Sequence, residues 1–123
     1  MYEFLLWAYV ANATMLVVHE IDSAYKREWE LFKMKIGITG FLVIHIPLVF
    51  LILSGLLFLV RFDPIGLLFC AGTTAGGFAA FAIHMGYILK GREEFKSPVS
   101  LGILISLSVF SLAQIILLIA VIL

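Results

Sequence analysis

The chain has 123 residues, 63% of them hydrophobic and 13% charged, with a mean hydropathy of +1.17. An ordinary soluble domain is about 45–50% apolar and about 25% charged, so the composition excludes a soluble globular enzyme, a disordered chain and a disulfide scaffold. Eight basic residues balance eight acidic ones, so no bulk attraction to nucleic acid is expected, and the single cysteine, Cys70, cannot close an internal disulfide.

A membrane helix needs roughly 20 mostly apolar residues to cross about 30 Å of hydrocarbon. In chain order the qualifying segments are Tyr2–Ile21, Ile36–Val60, Ile65–Leu89 and Val99–Leu123. The first lacks a basic leading region and carries Glu3 instead, so it reads as a retained span rather than a secretory signal. Arg61-Phe62-Asp63-Pro64 is a tight turn, with Pro64 suited to the first helical position. Gly91 is the expected stop of the third span, and Ser97-Pro98 the expected start of the fourth.

Between the first two spans, Tyr25, Trp29 and Phe32 recur at helical spacing among charges in Ser23–Lys35. This predicts an interfacial amphipathic helix with aromatic anchors, compatible with a lid over a site below it; Glu28 and Glu30 read as solvated. Lys26, Arg27, Lys33 and Lys35 lie in that connection and Lys90, Arg92 and Lys96 in the one after span three, against Arg61 alone on the other side. The positive-inside rule then puts both basic loops in the cytoplasm and both termini outside. Residues 1–123 read as one domain. The fold class is all-α, a four-transmembrane-helix up-down bundle with a short cytoplasmic interfacial helix between helices one and two.

Gly72, Gly76, Ala80 and His84 follow one another at i, i+4 on span three. They predict a stripe of close helix packing, to which Gly77, Ala79 and Ala82 add, and which carries His84 into the bundle. Asn12, Met15, His19 and Asp22 share a face of span one; Ser108, Ser111 and Gln114 share one of span four. Asn12, Gln114, Thr73 and Thr74 are expected to hydrogen-bond between helices, since polar groups in hydrocarbon need partners. Cys70 reads as an inert buried thiol, and Tyr87, three residues after His84, as a donor near the same site.

The chain has three histidines, one on each of the first three spans. His19, His45 and His84 all fall toward the basic side. Three imidazoles with an open fourth position would suit a catalytic metal, with Asp22 as a further ligand or base and Glu20 beside it as a base or orienting group. The donors suit one zinc, iron or manganese ion. Two competing readings stand: structural or proton-handling histidines, with His45 bonding a carbonyl freed near Pro47, and haem ligation by two facing histidines. Partners are membrane lipid and a homo-oligomer or a larger membrane complex. The alternative to a metal enzyme on a lipid or other hydrophobic substrate is a non-enzymatic subunit or assembly factor that acts through helix packing.

His19-Glu20-Ile21-Asp22-Ser23-Ala24-Tyr25 and Glu28-Trp29-Glu30-Leu31-Phe32, with His45 and with His84 ahead of Gly91-Arg92-Glu93-Glu94, resemble small bacterial four-helix membrane proteins of unassigned function. That resemblance implies a bacterial inner membrane location. A looser likeness is to the HXXEE-type membrane proteins, suspected enzymes. Asp22 and Ser23 stand where their motif has two glutamates, which implies a one-metal rather than a two-metal site.

Overall fold

The computed structural model describes residues 1–123. Its elements are α1 (Tyr2–Tyr25), α2 (Glu28–Leu31), α3 (Gly37–Val60), α4 (Ile65–Leu89) and α5 (Pro98–Ile122). The four long helices are each long and apolar enough to cross a membrane. The expected all-α bundle, with a short helix after the first span, is what forms. Its ends follow local chemistry. Ser97 Oγ accepts the Ser100 N–H at 3.2 Å with Pro98 in the first turn of α5, which satisfies a donor that the helix itself cannot. Gly91 follows α4 at φ +90°, a left-handed closure that suits glycine. Pro64 caps α4 one position before the expected place, and Asp63 Oδ1 accepts the Ile65 N–H at 2.9 Å.

α1 runs to Tyr25, four residues beyond its expected end. Its polar last turn stays helical because the neighbours receive it: Ser23 is fully buried, and Asp22 Oδ2 accepts the Ser100 hydroxyl at 2.7 Å. Ser23–Lys35 is therefore not one amphipathic helix. Arg27 turns left-handed at φ +56°, a conformation costing a non-glycine residue about 1–2 kcal/mol. That turn folds the four-residue α2 back under the bundle and buries Trp29 and Leu31, while Tyr25 stays 83% exposed.

α1 touches all three other spans, and α5 packs most extensively on α1 and α4. Apolar side chains gain little by leaving lipid for a helix interface, so close approach and polar bonds hold such bundles together. Both occur at one level. The Asn12 amide donates to Gln114 Oε1 (2.8 Å) and to the Thr73 carbonyl (3.2 Å). Gln114 donates to Thr73 Oγ1 (2.8 Å) and to the Cys70 carbonyl (2.9 Å), and Ser111 donates to Asn12 Oδ1 (3.3 Å). α1, α4 and α5 are thus knotted through Asn12, Thr73 and Gln114, as expected, whereas the buried Thr74 hydroxyl finds no interhelical partner. Asn12→Ala strands Gln114 Oε1 and the Ser111 hydroxyl. It is expected to cost about 1–3 kcal/mol, read as a lowered melting temperature in detergent; an unshifted melt would refute the knot.

The glycine stripe needs correction. The glycine that admits a neighbour is Gly77, where a Cβ would lie 2.1 Å from Ser111 Oγ and 3.1 Å from Asn12 Oδ1. At Gly72 a Cβ meets nothing within 4 Å, and at Gly76 only Leu16 at 3.9 Å. His84 does point inward, 2% exposed.

α3 leans on α1 and α4 and buries only Phe41, Ile52, Gly55 and Leu59. Two tyrosines of α1 tie it at one end: Tyr9 OH donates to the Ile52 carbonyl (2.7 Å) and Tyr2 OH to the Leu59 carbonyl (2.8 Å). Gly55 leaves room for the Tyr9 hydroxyl, which an added Cβ would meet at 2.1 Å.

Candidate metal centre

His19 on α1 and His84 on α4 come together at the α2 end of the bundle. Their rings meet edge to face, with centroids 4.7 Å apart at 87°, and each is 2% exposed. α2 contributes the third group. The left-handed turn at Arg27 carries Glu28 inward, where Oε1 lies 2.8 Å from His84 Nε2. One ligand atom from each of His19, Glu28 and His84 lies within 4.8 Å of the others. Phe95, from the α4–α5 connection, covers the cluster with its ring 4.3 Å from His84 and 5.9 Å from His19.

His84 Nδ1 lies 2.8 Å from the Ala80 carbonyl. A carbonyl only accepts, so Nδ1 carries the hydrogen, and in a neutral ring Nε2 then presents a lone pair. That nitrogen is buried without a directed hydrogen bond, despite the nearby carboxylate. His19 Nδ1 is buried without a partner too, and its Nε2 has only a long 3.5 Å contact to Ser23 Oγ. Acceptor atoms crowded around one point are favourable only with positive charge among them, either a proton or a cation. Ligand atoms on a tetrahedral ion with bonds of about 2.0–2.1 Å sit about 3.3 Å apart and aim at the ion rather than at one another. Burial raises the pKa of Glu28, but His84, His19 and the Ser23 hydroxyl outweigh burial and hold it below the usual carboxylate value.

Glu28 is the residue that sequence reading placed wrongly. It was expected in solvent and is 7% exposed. Its companion Glu30 is exposed, as expected, and pairs with Arg27 at 2.5 Å. The local sequence carries only a partial signal. Glu28 directly precedes Trp29, an aromatic among charges, but the helix breaks at Arg27, so a continuous wheel from Tyr25 does not describe the face that is buried.

The other expected site residues are arranged differently. His45, on α3, uses both nitrogens elsewhere: Nε2 is 2.6 Å from Glu20 Oε2 and Nδ1 is 2.6 Å from the Phe41 carbonyl. Its ring stacks on Phe41 at 3.9 Å. The carbonyl it engages is that of Phe41, not that of Val43, which Pro47 leaves without its usual N–H. His45 is not in the converging cluster, yet it and Glu20 line the same cleft of about 310 Å³ as His19, Glu28 and His84. Asp22 faces Ser100 and ties α1 to the start of α5. Tyr87 packs its ring against Phe32 at 5.8 Å. Cys70 is fully buried as a free thiol.

No curated protein and no solved structure matches the chain. A family model, described as a family of unknown function (DUF6713), matches residues 5–121. Because that match runs from the first turns of α1 almost to the end of α5, the chain belongs to the DUF6713 family.

Proposed function

We propose that this membrane protein is a metal-dependent enzyme whose single ion is held by His19, Glu28 and His84. The observation that carries the reading is the pair of buried imidazoles, each with one ring nitrogen lacking a directed hydrogen bond, beside a buried carboxylate. Two imidazoles and a carboxylate suit zinc, iron or manganese. The Ala80 carbonyl plays the supporting part that metal-binding histidines usually have, fixing the tautomer through the other ring nitrogen. Three protein ligands leave a coordination position for substrate, and a divalent ion there supplies Lewis acidity. Glu20, bonded to His45 across the cleft, is the carboxylate placed to exchange a proton with substrate. Asp22 steadies the last turn of α1 that carries His19. With the basic loops in the cytoplasm, the cleft lies toward the cytoplasmic side of a bacterial inner membrane, within reach of hydrophobic substrates.

Elemental analysis of detergent-purified protein tests this. Near one zinc, iron or manganese per chain is expected, falling to background in His84→Ala with the helical circular dichroism intact. Native chain that stays metal-free after incubation with each of the three ions overturns the proposal.

A further inference from the structure

A second cavity, of about 520 Å³, lies between α3 and α4 and is lined mainly by Leu48, Leu51, Ile52, Leu68 and Phe69. It meets the histidine cleft at Glu20 and Gly76, which line both. Gly72 and Gly76 form part of its wall, and neither is pressed by a neighbouring helix. These glycines make space rather than contact. The polar bonds of α3 to other spans all go to α1, through Tyr2, Tyr9 and Glu20, and none crosses the slot to α4. Leu51 and Leu68, 50% and 72% exposed, make the groove continuous with the apolar surface that the spans turn to lipid.

We propose that this groove binds one acyl chain of a membrane lipid, with the lipid's polar end in the His–Glu cleft. Dimensions fit that occupant. From His84 to Gly72 is twelve residues, about 18 Å of rise along α4, against about 15 Å for half the hydrocarbon thickness. A polar end beside His84 therefore brings the end of a chain of that length within about 3 Å of the level of Gly72. The polar end meets the only ionisable groups along the path, and the tail meets aliphatic side chains. Chain binding stands on the groove alone; the lipid's role as substrate rests on the metal reading above.

The test is photo-crosslinking in detergent micelles with a trace of a palmitoyl phospholipid that carries a diazirine at the end of its chain. Labelling is expected to concentrate on residues 48–52 and 68–76. Gly72→Leu, whose side chain enters the groove without meeting the fold, should reduce that labelling several-fold. Gly102→Leu, which also meets nothing within 4 Å but lies on α5, should leave it unchanged. Labelling spread evenly over the lipid-facing helices, or unaffected by Gly72→Leu, overturns the proposal. Metal content measured on the same samples keeps the two readings separate. Even labelling with metal present refutes the groove alone, and groove labelling without metal refutes the substrate role while chain binding stands.

Discussion

Gly77→Leu is expected to destabilise the folded bundle strongly, while Gly72→Leu, five residues earlier on the same helix, should fold like the native chain. At Gly77 even a Cβ would overlap Ser111 Oγ at 2.1 Å and crowd Asn12 Oδ1 and the Leu107 carbonyl. Ser111 cannot swing away without giving up its bond to Asn12, so a leucine must push α4 from α5 and break the polar knot. Overpacking a tight contact typically costs about 1–3 kcal/mol, and the stranded amides add about 1–3 kcal/mol more. That sum is a large share of a stability of about 5–15 kcal/mol. Size exclusion and thermal unfolding in detergent give the readout. A monodisperse Gly77→Leu protein melting with the native chain would show that α4 and α5 do not approach as described.

The same helix shows how much the sequence discloses and where its reading slips. Four spans, their turns and the inward face of His84 follow from apolar length, glycine, proline and a serine cap, all local signals. The choice between Gly76 and Gly77 depends on angle. Each residue turns a helix by about 100°, so Gly77 lies about 20° from His84 on the wheel and Gly76 about 80°. The i, i+4 stripe drifts by about 40° at every step, and three steps bring it to Gly72, which faces the groove. Counting degrees rather than steps recovers the packed face of Thr73, Gly77 and His84.

The cluster was half legible. His19 and His84 stand near the same ends of parallel-running spans, whereas His45, expected beside them, is engaged by Glu20 instead. Glu28 depends on a left-handed turn at Arg27, and arginine gives no local sign of that conformation. Its one local sign was its place beside Trp29, which the same turn buries. Which acid serves which histidine is a tertiary matter. Glu20 adjoins His19 in sequence yet points to His45, because neighbours on a helix diverge by about 100°.

That divergence yields the sharpest expected contrast at the site. Glu28→Gln should weaken zinc binding by more than about a hundredfold, beyond the 10–100-fold typical of losing an outer partner. Glu20→Gln should change it by less than that range. The two substitutions are chemically identical and remove one charge each from the same cleft, so a general loss of negative field would lower both affinities alike. Only geometry separates them. The Glu28 carboxylate is 2.8 Å from a histidine nitrogen that lacks a directed bond, whereas Glu20 is already engaged in a 2.6 Å bond with His45. Competition titration with a zinc-sensitive dye on detergent-purified variants measures both. Equal losses would assign the effect to field rather than ligation, and a larger loss in Glu20→Gln would move the centre to the His45 side of the cleft.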